Sequence, residues 1–183
     1  MSIEDVKGFF DQLVLYIQKE TSEWAFRPVN LNEKSMVFKF LDLYGDIIVS
    51  DKRVTVVIKG KKRKISHRRK DALSLMMAIH KAIEQLYVRC AYEELVRNYP
   101  VFSGMGNYEY RICYNCSNGV TTTSQLVFFF DYQGFKISCV YKVPDKIKEI
   151  AVVFSDLKDV DSWFDMVSLL RFMDKIGGGN GLS

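Results

Sequence analysis

KRVTVVIKGKKRKISHRRK, residues 52–70, contains the point at which the spacing of apolar residues changes from that of a β-strand to that of an α-helix. Apolar residues at every second position of 54–58 predict a β-strand with one buried face. Gly60 interrupts that period, and the cations after it are expected at the strand end and in a loop. Beyond residue 70 the apolar spacing lengthens to three and four, which predicts the longest helix of the chain. Ser66 or Asp71 would cap this helix, which would end near residue 97.

Residues 52–70 also concentrate the positive charge of the protein, and we call them the basic segment. They hold ten Lys or Arg residues and His67, with no acidic residue between Asp51 and Asp71. The formal net charge of the chain is +4 and the segment contributes +10, so the other residues sum to −6. Cations held together against their mutual repulsion are typical of a surface that binds a polyanion. The predicted contact residues are Lys52, Arg53, Lys59, Lys61, Lys62, Arg63, Lys64, His67, Arg68, Arg69 and Lys70.

The rest of the first half predicts helices at both ends and strands between them. Apolar residues at helical spacing from Ile3 to Ile17 predict an N-terminal helix. Strands are predicted at 24–29, 36–40, 47–50 and 54–58. A turn is predicted at Tyr44-Gly45-Asp46. The predicted buried stripe of the long helix consists of Leu73, Met76, Met77, Ile83, Leu86, Tyr87 and Cys90.

The second half begins after residues 99–107, which are predicted to form a flexible joint because they include Gly104 and Gly106. The predicted strands of this half are 108–114, 126–132, 135–141 and 147–154, followed by a helix at 159–176. Residues 177–183 are predicted to be a flexible tail. The predicted domains are therefore 1–98, a helix plus a first ββββα unit, and 108–176, a second ββββα unit.

The two halves share an order of elements and a short landmark. Residues 40–45 read Phe-x-Asp-x-x-Gly, and so do residues 129–134, at an offset of 89 residues. With one inserted residue, Met77, Ile83 and Leu86 align with three apolar positions of the last helix. We therefore predict an α+β fold in which an N-terminal helix precedes two similar antiparallel ββββα units, related by a pseudo-twofold axis and packed as one compact protein. Chance alignment is the alternative.

The order of elements also resembles known nucleic-acid-binding modules. Each half is similar to the ββββα modules of the PUR and Whirly groups, which bind single-stranded DNA. The first half is similar to a double-stranded RNA-binding domain, in which three strands lie between two helices. In that comparison Ser66-x-Arg68-Arg69-Lys70-x-Ala72 occupies the basic start of the second helix. Both resemblances imply a nucleic acid as partner.

The length and composition of the chain argue against several classes of protein. A chain of 183 residues, 48% of them apolar, can bury a core and is not of the disordered type. No apolar run approaches the roughly 20 residues of a membrane helix, and Glu4 and Asp5 stand where a secretory signal would carry cations. Four irregularly spaced cysteines do not resemble a disulfide framework. We expect an intracellular, reducing compartment, with the nucleus as an alternative for a eukaryotic or viral protein.

No residue pattern predicts an enzyme, a metal site or a cofactor. Cys113-x-x-Cys116 has metal-like spacing, but structural zinc needs two further ligands and the sequence has no matching second pair. His67 belongs to the basic segment and His80 to the inner side of the long helix, so neither is expected beside a Ser or Cys nucleophile. A non-enzymatic protein is predicted.

The preferred function is nucleic-acid binding through the basic segment, with the kind of nucleic acid unspecified. Its strand end and loop would follow the phosphate backbone, and the cations at the helix start would hold phosphates. Bases would stack on strand aromatics, with Tyr44, Tyr132 and Tyr141 predicted to face outward. The alternatives are a viral or phage-type adaptor or inhibitor that binds an acidic host protein through the same surface, a subunit of a larger assembly, and a solvated loop or nuclear-import signal. A homodimer through a strand edge or the long helix is a further expectation.

Overall fold

The structure is a computed structural model. It describes the backbone of residues 3–20, 26–32, 34–40, 43–68, 70–117, 120–132, 135–142, 146–153 and 171. It describes side-chain burial for 5–16, 34–40, 43–68, 70–112, 125–131, 136–140 and 171. Within these residues the chain is an α+β protein, with an N-terminal helix, an antiparallel sheet, a long helix and a second antiparallel sheet.

The described elements follow one another in a simple order. They are α1 (Ile3–Glu20), β1 (Phe26–Asn32), β2 (Ser35–Phe40), β3 (Leu43–Val49), β4 (Arg53–Ile58), β5 (Lys61–Ser66), α2 (Ala72–Asn98), a 3₁₀ helix (Pro100–Gly104), β6 (Tyr108–Ser117), β7 (Val120–Tyr132), β8 (Phe135–Lys142) and β9 (Lys146–Val153). β1 to β5 form one sheet in chain order, and β6 to β9 form another. None of the described helices is both long enough and apolar enough to cross a bilayer.

The chain forms two compact units. Unit 1 comprises Met1–Cys90 with Tyr114–Ser124, and unit 2 comprises Ala91–Cys113 with Gln125–Ser183. The first boundary falls inside α2, between Cys90 and Ala91.

The sheet of unit 1 has one buried face and one open face. Buried side chains alternate with exposed or half-buried ones along β2, β3 and β4. α2 covers the buried face, since the Phe40 ring of β2 lies 5.5 Å from the Tyr87 ring of the helix, edge to face. Burying large apolar side chains such as Phe38 stabilises the fold by about 1.5–3 kcal/mol each. This burial fixes the position of the sheet against α2.

A fifth strand is the main difference from the strands predicted for the first half. Lys61–Ser66, predicted as loop, forms β5 and pairs antiparallel with β4. The connection is the two-residue turn Lys59–Gly60, with φ angles of 46° and 77°. Two successive residues with positive φ are typical of a type I′ turn, whose twist matches that of a hairpin. Gly60 therefore closes a hairpin, and the first unit has five strands instead of the predicted four.

Gly45 lies inside β3 and not in the turn predicted at 44–46. A Cβ atom at this position would lie 2.5 Å from Cζ of Phe38 and 2.7 Å from the carbonyl oxygen of Val57. The glycine is therefore required by the close approach of its neighbours. β2 ends and β3 begins earlier in the chain, at Phe40 and Leu43, which pair with each other.

Asp71, one of the two predicted caps, is the N-cap of α2. Its Oδ1 accepts a hydrogen bond of 2.9 Å from the Ser74 N–H, and its Oδ2 accepts one of 2.7 Å from the Ser74 hydroxyl. The bond from the Ser74 backbone, which favours the charged carboxylate, lowers the pKa of Asp71 below its usual value. The helix start thus satisfies one of its free N–H groups within the chain.

Most of the predicted apolar stripe of α2 is buried. The buried members are Met76, Ile83, Leu86, Tyr87 and Cys90. The prediction is wrong for Leu73 and Met77, which are 57% and 54% exposed. These two residues are four positions apart and share one helix face, which lies outside the buried stripe. Leu75 and Ile79 occupy the buried face in these first turns.

Unit 2 is built around aromatic rings. Tyr92 of α2 stacks on Tyr108 of β6, with ring centroids 4.3 Å apart. Phe102 of the 3₁₀ helix lies 5.0 Å from Phe130 of β7. Aromatic pairs of this kind add about 0.5–1.5 kcal/mol beyond the area that they bury. Residues 99–107, predicted to be a flexible joint, therefore contain a buried anchor at Phe102.

The internal repeat is not confirmed. Phe40 is fully buried in unit 1, whereas Phe129, at the matching landmark position, is 37% exposed. The landmark therefore falls on a buried face in one half and on an exposed face in the other. The predicted last helix, 159–176, is described only at residue 171, and the tail 177–183 lies outside the described residues. The match between the last helix and α2 stays a prediction.

Candidate functional site

β5 is an edge strand of the first sheet. Among the described strands it pairs with β4 alone. The type I′ turn makes Ile58 and Lys61 a hydrogen-bonded pair, and such pairs recur at every second residue of an antiparallel ladder. Consequently Lys62, Lys64 and Ser66 direct their backbone N–H and C=O groups away from β4. We call this row of outward backbone groups the β5 edge.

The cations of β5 divide between the two faces of the sheet. Residues directly opposite each other on neighbouring strands share a face. Arg63 lies opposite Val56, which is buried on the helix-covered face. Lys62 lies opposite Val57, which is half-buried on the open face, and Lys64 shares that face two residues further on. The basic segment therefore forms two cationic surfaces.

The open face combines its cations with exposed apolar side chains. Tyr44 of β3 is 59% exposed, and Ile48 of the same strand is 42% exposed. Nζ of Lys39 lies 5.9 Å from the centre of the Tyr44 ring, within cation–π distance. Ile48 lies in the same cross-strand row as Lys64, through one intervening residue of β4. An exposed ring beside cations can stack on an unpaired base while the cations contact phosphate.

A groove lies between β5 and α2, along the helix-covered side of the sheet edge. Its volume is about 440 Å³, and it is lined by the cations Arg63, Lys64, Lys70 and Lys81 and by the small residues Ala78 and Ala82, among others. None of the described residues that line it is acidic. We call it the β5–α2 groove. Its walls concentrate positive charge with no compensating carboxylate in the lining.

Lys81 lies outside the basic segment, and a count of charges along the sequence does not indicate it. Residues three and four apart share a face of a helix. Lys81 follows Ala78 by three positions and precedes Gln85 by four, and all three line the groove. A helical projection of α2 places Lys81 on the same face as Ala78 and Gln85, but it does not show that this face lies beside β5.

The cations before α2 lie outside the helix. Arg68 and Lys70 are exposed and precede the capping residue Asp71, while Arg69 lies outside the described residues. Because Asp71 accepts the Ser74 N–H, part of the hydrogen-bonding capacity that would hold a phosphate is already used. The phosphate contact predicted at the helix start stays a prediction, with one backbone N–H group fewer to support it.

His67 forms hydrogen bonds to two residues between β3 and β4, Ser50 and Lys52. Its Nε2 donates a hydrogen bond of 2.7 Å to the carbonyl oxygen of Ser50, because a carbonyl can only accept. Its backbone N–H bonds to the carbonyl oxygen of Lys52 at 3.4 Å, in phase with the β4–β5 ladder. The N–H of Ser50 in turn bonds to the carbonyl oxygen of Arg53 at 2.9 Å. His67 thus has a structural role, while Lys52 and Arg53 remain exposed.

Comparison with known proteins finds no match. Neither a protein family, nor a curated protein, nor a solved structure is similar to this chain.

Edge cations also have a purely structural explanation. Lys on an open edge strand discourages pairing with the strands of other chains. That explanation suits Lys59, exposed at the hairpin tip, and Lys61, half-buried opposite Ile58. It does not account for Lys70 and Lys81, which bring further cations to the groove from outside the strand.

The described residues outside the basic segment offer no metal centre. No group of three or more His, Cys, Asp or Glu side chains among them could hold a metal ion. Cys139 is a buried free thiol, and burial raises its pKa to about 12, so it is a poor nucleophile. The side chains that lie outside the described residues include those of Cys113, Cys116, Tyr132 and Tyr141.

Proposed function

We propose that this protein binds nucleic acid, without catalysing a reaction, through the open face of its first sheet and the cations that β5 presents on that face. Phosphates contact Arg53, Lys59, Lys62 and Lys64, and an unpaired base stacks on Tyr44. The other cations of the basic segment add long-range attraction. The observation that carries the proposal is the exposed ring of Tyr44 on the same face as the two outward lysines of β5.

The dimensions of the strand support this proposal. Six residues at ~3.3 Å per residue make β5 about 20 Å long. A duplex strand carries one phosphate per roughly 3.4 Å of helix axis, and an extended single strand spaces its phosphates further apart, so a few phosphates fit along this length. Because the stacking contact requires an unpaired base, a single strand is the preferred ligand.

Fluorescence anisotropy with a labelled oligothymidine tests the proposal. The double variant Lys62→Glu/Lys64→Glu is expected to bind at least about tenfold more weakly. The slope of log affinity against log salt should fall by about 0.7 for each phosphate of the single strand that the variant no longer neutralises. The matched control is Lys7→Glu/Lys136→Glu, which reverses the same number of exposed charges elsewhere. The proposal is overturned if single-stranded DNA, duplex DNA and RNA all fail to bind at low salt, or if the control loses as much affinity.

We also propose an intracellular, reducing location. Cys90 and Cys139, which are described, are both buried, and neither forms a disulfide. Cysteines outside disulfides are typical of reducing compartments. The alternative function, an adaptor or inhibitor that binds an acidic protein, is supported by a different observation, namely the outward backbone groups of the β5 edge.

A further inference from the structure

We propose that the β5–α2 groove binds an extended acidic peptide of a partner protein, which joins β5 as an additional strand. Every second side chain of the peptide enters the groove, where its carboxylates meet Arg63, Lys70 and Lys81. This inference goes beyond nucleic-acid binding and does not depend on it, because it uses the other face of the sheet edge.

The backbone of β5 favours a peptide as the occupant. Lys62, Lys64 and Ser66 each direct one N–H donor and one C=O acceptor outward along the edge. A peptide strand offers donors and acceptors at the same spacing, so it can satisfy both kinds of group. A phosphate backbone offers only acceptors, so it can bind the outward N–H groups but would leave the outward carbonyl oxygens to water.

The helix wall leaves room for an added strand. Ala78 and Ala82 stand one turn apart on the side of α2 that faces the groove, and Ala82 is only 2% exposed. Ile65, 8% exposed, closes the apolar base on the strand side. Small side chains on the helix and an apolar base produce the groove of about 440 Å³ beside an open strand edge. This is the arrangement in which strand addition buries alternate side chains of a ligand.

The charges of the groove define the peptide. In an added antiparallel strand, residues opposite Lys62 and Lys64 would lie on the open face, and their neighbours would face the groove. The groove-facing positions would meet Arg63 on the strand and Lys70 and Lys81 beyond it. With no acidic residue in the described lining, Asp or Glu at every second position is the complementary pattern.

The register predicts which peptide amides matter. In a fluorescein-labelled decapeptide of alternating Glu and Val, Glu residues that face the groove point their N–H groups away from β5, and Val residues point theirs toward it. N-methylation of the Val amides is therefore expected to abolish binding, whereas N-methylation of the Glu amides is tolerated. Equal binding of the two methylated peptides, the opposite order, or no binding of the unmodified peptide at millimolar concentration overturns the inference.

Charge reversal in the groove provides the second test. Arg63→Glu/Lys81→Glu should weaken binding of the unmodified decapeptide by at least about tenfold. Both residues are exposed, and circular dichroism would verify that the variant is folded. Lys7→Glu/Lys136→Glu, with the same change in net charge, should bind as the parent protein does. Equal loss in the control would show a general effect of charge and would overturn the assignment to the groove.

The same variants separate this inference from the proposed function. Lys62 does not line the groove, whereas Lys64 does, so loss of oligothymidine binding in the single variant Lys62→Glu concerns the open face. Loss of decapeptide binding in Arg63→Glu/Lys81→Glu concerns the groove only. If the groove variant loses oligothymidine binding and the parent protein never binds the decapeptide, the groove is a nucleic-acid site and the peptide inference is wrong.

Discussion

Lys62 and Arg63 are neighbours in sequence, yet their side chains lie on opposite faces of the first sheet. Lys62 pairs with half-buried Val57 on the open face, and Arg63 pairs with buried Val56 on the face covered by α2. A strand alternates its side chains in this way at every residue. One cationic stretch of sequence therefore supplies two surfaces with different neighbours.

The first prediction compares charge reversal at these two neighbours. Lys62→Glu should weaken oligothymidine binding by roughly three- to tenfold more than Arg63→Glu, since only Lys62 shares a face with Tyr44. Both substitutions change the net charge equally and at the same strand. Anisotropy titrations at two salt concentrations measure the difference. Equal losses of affinity would mean that oligothymidine responds to the net charge of the protein and not to the face on which the cation lies.

The second prediction concerns two glycines with open space around them. An added Cβ at Gly8 or at Gly60 would meet no heavy atom within 4 Å. Gly60 has φ of 77°, so Gly60→Ala should lower the free energy of unfolding by about 1–2 kcal/mol. Gly8 lies inside α1, where alanine is preferred, so Gly8→Ala should raise it by about 0.5–1 kcal/mol. Urea denaturation measures both changes in the free energy of unfolding. A Gly60→Ala variant as stable as the parent protein would contradict the type I′ turn.

The third prediction concerns the crowded glycine of β3. Gly45→Ala places a Cβ against the Phe38 ring and the Val57 carbonyl oxygen, and overpacking of this kind costs about 1–3 kcal/mol. Phe38→Leu in the same background should recover part of the loss, because it removes the ring contact and leaves the backbone contact. Thermal unfolding of the single and double variants measures the coupling. If the two substitutions change the melting temperature additively, the Phe38 ring is not the cause of the instability of Gly45→Ala.

The fourth prediction concerns the thiol of Cys139. Burial raises its pKa to about 12 in the folded protein, whereas an unfolded thiol titrates near 8.5. The folded state keeps the proton that the unfolded state loses, so this contribution to stability is complete below about pH 8.5 and falls as the pH rises toward 12. Cys139→Ala should therefore lose less stability than the parent between about pH 8 and pH 10. Urea unfolding at these pH values tests it, and parallel curves would contradict it.

The fifth prediction concerns the cap of α2. The pKa of Asp71 is lowered by the Ser74 backbone hydrogen bond, so the carboxylate stabilises the fold above its unfolded pKa and the effect is lost as the pH falls through the lowered folded value. Asp71→Asn keeps an oxygen acceptor at the N-cap but removes the charge. The melting temperature of the parent should exceed that of the variant near neutral pH, and the gap should close as the pH falls below 3.8, the usual pKa of an Asp side chain. A gap independent of pH would mean that charge has no part in the cap.

Much of the fold could be predicted from apolar periodicity. α1, the strand at 54–58 and the long helix all bury one face, so their sequences carry the period of their structure. β5 could not be found in this way, since Ile65 is its one buried residue and cations fill most of the other positions. The clue that was available is the pair Lys59–Gly60, which fits a two-residue hairpin turn.

The sequence predicts that a cationic surface exists, but not on which face of the sheet each cation lies. The density of Lys and Arg in residues 52–70 indicates a cationic surface whatever the fold. Whether those side chains converge depends on strand alternation, which a loop prediction does not supply. The contribution of Lys81 depends on the packing of α2 beside β5, and no local pattern encodes that contact.

The polypeptide passes between the two compact units three times, after residues 90, 113 and 124. Domains that can be exchanged between proteins usually occupy one continuous stretch, bounded by exposed linkers. Here no single cut yields both units whole, and the first passage lies within an unbroken helix. We therefore expect a gene fragment ending at residue 90 to encode an incomplete unit, and protein made from it to be poorly soluble. The two units therefore interleave along the sequence and would have to be inherited together.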